Sequence, residues 1–168
     1  MYKGLVVVIG VSGSGKSSLA QRLAAYFQQP MIEADDYHLP QAKALMQAGH
    51  GLNEEHRKPW LHRLVVACEQ ALSCTPTVIL ACSALQQQHR DRFRRIDAPV
   101  RFIWPDVPIA LLQQRLRQRT GHFASNTLLT SQFACFEPPI NETDCLRIDG
   151  TLSLDTQLAE CVAVMDDW

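Results

Sequence analysis

Short apolar runs alternate with amphipathic stretches along most of the chain. The runs Leu5–Ile9, Val78–Cys82 and Val100–Trp104 are rich in β-branched and aromatic residues, which predicts strands buried on both faces. Met31–Ala34 and Leu146–Asp149 predict two shorter strands. Strands that alternate with helical patterns are typical of a parallel sheet covered by helices, so an α/β fold is expected.

Helical periodicity fills the segments between the predicted strands. The predicted helices cover about 16–28, 41–51, 60–72, 84–95, 109–119 and 154–165, and the polar stretch 120–127 is predicted to be a loop. No repeat, low-complexity tract or linker interrupts the pattern. A single domain over 1–168 is therefore expected.

Charge and cysteine content restrict the partners. Lys and Arg number 16 against 17 Asp and Glu, and the net charge of −1 gives no reason to expect nucleic acid or a membrane surface as a partner. No apolar run approaches the roughly 18 residues of a membrane span. The six cysteines form no C-x-x-C pair, so they are predicted to be buried apolar residues of a protein in the reduced cytoplasm. A small soluble ligand fits this composition best.

The segment 10–17, GVSGSGKS, matches the phosphate-binding pattern G-x-x-x-x-G-K-[ST] between a predicted strand and a predicted helix. Converging backbone N–H groups and the helix N-terminus suit a nucleoside triphosphate such as ATP. Lys16 is expected to reach the β- and γ-phosphates, and the Ser17 hydroxyl to bind Mg²⁺. The alternatives are a chance glycine-rich turn, or a loop retained for structure after nucleotide binding was lost. The predicted phosphate ligands are Gly10, Ser12, Gly13, Ser14, Gly15, Lys16, Ser17 and Ser18.

Other features favour a kinase among the proteins that share this loop. The chain lacks the N-K-x-D segment of GTPases, and the strand before Ser83 does not end in the acidic residue of motor ATPases. Asp35 follows the second strand, where a carboxylate can accept the proton of an acceptor hydroxyl. Asp35 can also be an ordinary turn residue, and His38 can be a substrate ligand or a surface histidine.

Arg115 and Arg119 are four residues apart on one predicted helix face. With the TGHF segment at 120–123, they predict a basic lid that closes on ATP. The alternative is a solvated helix face.

The order and spacing of seven short motifs closely resemble the gluconate kinase family. In the family's lettering they are G-V-S-G-S-G-K-S at 10–17, E-G-D-x-x-H at 33–38, D-R-x-P-W-L at 56–61, C-S-A-L at 82–85, Y-R-D at 89–91, R-x-x-x-R-x-G-H-F at 115–123, and S-Q-F with E-x-P at 131–139. The resemblance implies a P-loop NTPase fold like that of nucleoside monophosphate kinases, with a small lid at about 115–133 and an acceptor-covering segment at about 38–61. It also implies a homodimer that phosphorylates the 6-hydroxyl of D-gluconate with ATP and Mg²⁺.

The resemblance also implies individual roles. Lys16, Asp35 and Arg119 are the expected catalytic residues, and Arg115 and Arg119 the expected lid residues on ATP. Arginine suits the carboxylate of a sugar acid because its planar fork binds carboxylates in bidentate fashion. The expected acceptor ligands are Asp35, His38, Arg57, Arg90 and His122.

The acceptor-covering segment departs from the family pattern. Ala42 and Leu45 stand where the family usually has Asn and Lys, and Gly51 and His56 replace Pro and Asp. These changes leave another sugar acid, a shikimate-like acceptor or a non-catalytic ATP-binding regulatory module as alternatives. The intact C-S-A-L and G-H-F segments argue against a shikimate or nucleotide kinase, and Asp35 together with Lys16 argues against a regulator.

Overall fold

A computed structural model describes residues 2–118, 126–165 and 167–168. The elements, in chain order, are β1 Gly4–Val8, α1 Lys16–Phe27, β2 Met31–Glu33, a 3₁₀ turn Ala34–Tyr37, α2 Pro40–Gln47, α3 Glu54–Leu72, β3 Thr77–Ala81, α4 Gln87–Phe93, β4 Val100–Asp106, α5 Ile109–Gln118, α6 Asn126–Cys135, β5 Cys145–Asp149 and α7 Leu154–Met165.

The five strands form one parallel sheet in the order β2-β3-β1-β4-β5. The central strand β1 pairs with β3 and β4, and Val8 at its carboxyl end lies opposite Ala81 and Ile103. After β1 the chain forms β2 and β3 on one side of this strand, and then crosses to form β4 and β5 on the other side. Ligands of such open sheets bind in the crevice at this reversal.

Alternate residues of β1 face two separate cores, as a strand covered on both sides requires. Leu5 and Val7 pack with α3 and α4, and Val6 and Val8 pack with α1 and α7. The predicted α/β class, with a parallel sheet and helices on both faces, is confirmed.

A third apolar cluster fixes α5 and α6 above the carboxyl edge of the sheet. Leu112 and Leu116 of α5 pack with Leu129 of α6, Val11 and Leu85. Both helices are therefore anchored beside the loop that leaves β1.

Helix α3 begins at Glu54, so the prediction of a helix start at Trp60 was wrong. The Asn53 side chain accepts a hydrogen bond from the His56 N–H at 3.1 Å, and acidic residues in the first turn favour the helix N-terminus. Pro59 lies inside this 19-residue helix. The buried face outweighs the one backbone hydrogen bond that proline removes.

Other boundaries also differ from the prediction. Helix α2 ends at Gln47, before Gly49. Helix α4 covers only Gln87–Phe93, since its N-cap Gln86 is extended and Ala84 has φ +37. Ala34, predicted as a strand residue, begins the 3₁₀ turn, and α6 was not predicted. Within the described ranges, no helix combines the length and apolarity needed to cross a membrane. The assignment of 38–61 and 115–133 as covering segments stays a prediction.

Candidate active site

The loop 10–17 connects the carboxyl end of β1 to the first turn of α1. Gly10 has φ +140, and a Cβ there would lie 2.8 Å from Ser14 Oγ. Gly15 has φ +89 and caps α1 in the left-handed region. Because a side chain at either position would clash or strain the backbone, this turn needs both glycines.

The N-terminus of α1 has the properties of an anion site. No side chain caps it, and no acidic residue lies in its first turn. Lys16, Ser17 and Ser18 occupy that turn, as predicted. Unpaired N–H groups and the positive end of the helix dipole together favour an oxyanion ligand.

Two further contacts of the loop come from α5 and α6. Ser12 N–H donates to Gln132 Oε1 at 2.7 Å. Arg115 donates to the carbonyl oxygens of Gly13 at 3.3 Å and Gly150 at 2.9 Å. The structure therefore places Arg115 against the loop. It also adds Gln132, to which the sequence reasoning gave no role although the S-Q-F motif contains it.

Glu33 is a second residue that sequence reasoning left without a role. It ends β2 beside Ser17 and Lys16, and its Oε1 is buried without a hydrogen-bond partner in the described ranges. Burial raises the pKa of its carboxyl, and the Ser17 hydroxyl and the Lys16 charge oppose that shift. An unpaired carboxylate oxygen next to a hydroxyl fits a hard cation such as Mg²⁺, which binds one or two protein oxygens together with phosphates.

Asp35 and His38 lie at the two ends of one short turn, which α3 holds in place. Trp60 Nε1 donates to the Ala34 carbonyl at 2.8 Å, and Arg63 donates to the Tyr37 carbonyl at 2.9 Å. The Asp35 side chain is 71% exposed, and its Oδ1 lies 3.8 Å from His38 Nε2. The Asp35 carboxylate is therefore open to a ligand.

His38 is buried against α3. Its ring stacks on Trp60 with centroids 4.3 Å apart, and its Nδ1 has no partner in the described ranges. Burial lowers the pKa of His38 to about 4. A neutral imidazole follows, which can exchange hydrogen bonds with hydroxyl groups but carries no charge for a carboxylate.

Arg57 lies one helical turn before Trp60 in α3, the residue on which His38 stacks. Its side chain is 13% exposed and contacts Glu54 Oε1 at 3.4 Å and Cys135 Sγ at 3.7 Å. Glu54 is shared with His89, whose Nε2 lies 3.0 Å from the same oxygen. Burial raises the pKa of the Glu54 carboxyl, but His89 and Arg57 hold it below its usual value overall.

Arg90 does not join this group, contrary to the expectation that it lines the acceptor pocket. It is 1% exposed, and its guanidinium donates to the Glu142 carboxylate and to the carbonyls of Ala84, Leu85 and Glu137. Every nitrogen of the guanidinium has a protein acceptor. The geometry assigns Arg90 to a buried structural network.

The site thus combines an anion cradle, two carboxylates and an arginine at the carboxyl edge of the sheet. Ser17, Lys16 and Asp35 all act on the Glu33 carboxyl, and His38 Nε2 lies 3.8 Å from Asp35 Oδ1. Such an arrangement can hold a phosphate chain and orient a hydroxyl toward its outermost group. The predicted residues Arg119 and His122 lie outside the described residues.

Known proteins are similar to this chain over most of its length. A family model described as an AAA domain matches residues 5–139. The thermosensitive gluconokinase of Escherichia coli is 37% identical over 156 residues, which are 92% of this chain and 83% of that protein. A solved gluconokinase from Sinorhizobium meliloti is 31% identical with a TM-score of 0.88, over 99% of this chain and 93% of that one. A solved sugar kinase from a Janibacter species is 32% identical with a TM-score of 0.91, over 98% and 95%.

Proposed function

This chain belongs to the gluconokinase family, and we propose that it transfers the terminal phosphate of ATP to D-gluconate, giving 6-phosphogluconate. One observation carries the proposal. A complete phosphate cradle adjoins an exposed carboxylate, Asp35, at the same edge of the sheet. Phosphoryl transfer to an alcohol needs those two parts next to each other.

The cradle residues bind and orient the nucleotide. The N–H groups at the start of α1 and the Lys16 ammonium hold the phosphates, and Arg115 supports the loop through the Gly13 carbonyl. Ser17 and Glu33 are the proposed protein ligands of Mg²⁺, which neutralises charge on the phosphates when bound.

Asp35 acts on the acceptor hydroxyl. Its exposed carboxylate accepts the hydroxyl proton as the oxygen approaches phosphorus, and the 3₁₀ turn held by α3 keeps it in place. Neutral His38 contacts the sugar hydroxyls, and its unpaired Nδ1 supports that role. Since the transition state is loose, most of the rate comes from this positioning.

Arg57 is the proposed ligand of the gluconate carboxylate. It is a cation beside His38 whose only protein partners in the described part of the chain are Glu54 and the weakly accepting Cys135. A substrate carboxylate is a stronger, charge-assisted acceptor than the Cys135 thiol. The contributions of Arg119 to the transferring phosphate and of His122 to the acceptor remain proposals from the family resemblance, as do a homodimer and a cytoplasmic location.

The test is ADP release coupled to an optical readout, with gluconate, other sugar acids, shikimate and nucleoside monophosphates as acceptors. We expect gluconate to give the highest kcat/KM. Preference for another sugar acid would indicate that the acceptor has changed together with the segment that contains Ala42 and Leu45. ATP binding without any acceptor-dependent ADP release would contradict an enzymatic role and favour the regulatory module.

A further inference from the structure

Helix α6 contacts both the phosphate cradle and the proposed acceptor ligand Arg57 through residues one helical turn apart. Gln132 Oε1 accepts from Ser12 N–H at 2.7 Å, and Cys135 Sγ accepts from Arg57 Nη2 at 3.7 Å. The Cys135 thiol in turn donates to the Gln132 carbonyl at 3.4 Å. One rigid turn therefore lies between the phosphate cradle and the arginine proposed to bind the acceptor.

The Gln132 contact uses a donor that the cradle would otherwise offer to an anion. Within the described ranges, Gln132 is the only side chain that accepts from a main-chain N–H of the loop 10–17. Ser12 is the third residue of this loop and lies three residues before Gly15, the cap of α1. A charged phosphate oxygen forms a hydrogen bond about twice as strong as a neutral carboxamide oxygen does. A phosphate oxygen is thus a stronger acceptor for Ser12 N–H than Gln132 Oε1 is.

The Cys135 contact occupies Arg57 with a poor acceptor. A thiol sulfur accepts hydrogen bonds weakly, yet Nη2 of this mostly buried guanidinium is directed at it. A carboxylate is a stronger acceptor for Nη2 than this thiol, so a small shift of the Cys135 side chain is enough to make Nη2 available to one.

We propose that Gln132 is a positioning residue that competes with the terminal phosphate of ATP for Ser12 N–H and thereby makes acceptor binding at Arg57 depend on the bound nucleotide. Without nucleotide, Gln132 and Cys135 hold α6 against both partners. A bound triphosphate displaces Gln132 and releases Arg57, so gluconate binds more tightly. This inference rests on the proposed function for the nucleotide at the cradle, for the acceptor and for Arg57 as its ligand.

The test is calorimetric titration of gluconate into protein without nucleotide, with saturating Mg-AMP-PNP and with saturating MgADP. One net hydrogen bond is worth about 1 kcal/mol, so AMP-PNP should tighten gluconate binding in the wild type about fivefold, and ADP should not. In Gln132→Met, which keeps the length of the side chain but removes its hydrogen bond, gluconate should bind equally well with and without AMP-PNP. Gln114→Met, at an exposed glutamine of α5, is the matched control and should keep the fivefold ratio.

A second arm does not depend on the acceptor. Gln132→Met should bind AMP-PNP about fivefold more tightly than the wild type, because the competitor for Ser12 N–H is gone, and should bind ADP equally. Equal AMP-PNP affinity in the two proteins would overturn the inference, even if gluconate proved not to be the acceptor. A wild-type ratio near one, or an unchanged ratio in Gln132→Met, would also overturn it.

Cys135→Ala gives an independent check if Gln132→Met unfolds at lower temperature. It leaves the Ser12 contact intact and removes the thiol from Arg57. We expect tighter gluconate binding without nucleotide and a ratio near one, with AMP-PNP affinity as in the wild type. A fivefold ratio in this variant would refute the link between α6 and Arg57.

Discussion

Replacing Arg90 by methionine distinguishes a structural arginine from a substrate ligand. Arg90 is 1% exposed, and its guanidinium pairs with the Glu142 carboxylate and donates to the main-chain carbonyls of Ala84, Leu85 and Glu137. Methionine fills much of the volume of the stem but removes the Arg90 donors from all these acceptors, of which Glu142 keeps Arg94 and the Leu85 carbonyl keeps the Glu137 N–H. We therefore expect Arg90→Met to reduce stability more than it affects substrate binding.

The size of the effect follows from the contacts. Removing one partner of a buried ion pair costs about 3–5 kcal/mol. Glu142 also pairs with Arg94, which remains in the variant, so we expect a value near the lower limit, about 3 kcal/mol. In a protein of this size each kcal/mol lowers Tm by about 2–4 °C, so Tm should fall by roughly 6–12 °C.

Arg57→Met is the matched control, since it removes the same group from the proposed acceptor site. Arg57 is 13% exposed, and its distance from Glu54 is 3.4 Å, so we expect Tm to change by less than about 4 °C. Its loss should raise the KM for gluconate by about 10- to 100-fold, the equivalent of a hydrogen bond to a charged group. Calorimetric scans give Tm, and steady-state kinetics well below the transition give KM.

The opposite pattern would refute this assignment. If Arg90→Met keeps the wild-type Tm but raises the KM for gluconate, Arg90 lines the acceptor pocket as the family resemblance implies. If Arg57→Met leaves KM unchanged, the carboxylate has another ligand.

Three further predictions concern the carboxylates and the buried histidine. Asp35→Asn should lower kcat by about 10²–10⁴-fold with ATP affinity unchanged, and an unchanged kcat would exclude a role as base. Glu33→Gln should raise the Mg²⁺ concentration for half-maximal activity about tenfold, and an unchanged Mg²⁺ titration would contradict its role as ligand. Burial holds the pKa of His38 at about 4, below that of an unfolded histidine, so the unfolded state binds more protons below pH 6.5. Urea unfolding should therefore show up to about 3 kcal/mol of stability lost between pH 6.5 and 4, and His38→Gln should reduce that loss; equal losses in both proteins would contradict it.

The sheet and the cradle could be predicted because local sequence specifies them. The residues of β1 and β3 are buried throughout, so each strand is a short run of mostly apolar, β-branched residues that its length and composition identify. The loop 10–17 depends on glycines at fixed spacing, which the sequence displays directly. The position of Asp35 followed from the end of β2.

The partners of the polar side chains could not be predicted in the same way. Arg90 belongs to the Y-R-D motif at 89–91, from which a role in acceptor binding was expected. Its ion-pair partner Glu142 lies 52 residues later. Only the packing of α4 against that distant segment shows that the guanidinium is occupied.

Helix α6 was missed for a related reason. Its sequence, NTLLTSQFAC, has no acidic first turn and no clear apolar stripe, so no helical periodicity marks it. Tertiary packing of Leu129 against α5 stabilises it. Gln132 could be recognised only once that helix was placed beside Ser12. Glu33 had a usable signal, since it is a carboxylate at the carboxyl end of a parallel strand.

The most direct test of the central claim is ³¹P NMR of a reaction with MgATP and gluconate. We expect one new phosphomonoester signal that coincides with authentic 6-phosphogluconate and grows in step with ADP. Lys16→Met, which removes the cation of the cradle, should give no such signal while its circular dichroism stays that of the wild type. Unconsumed ATP in the wild-type reaction, or an equal signal from Lys16→Met, would contradict the account.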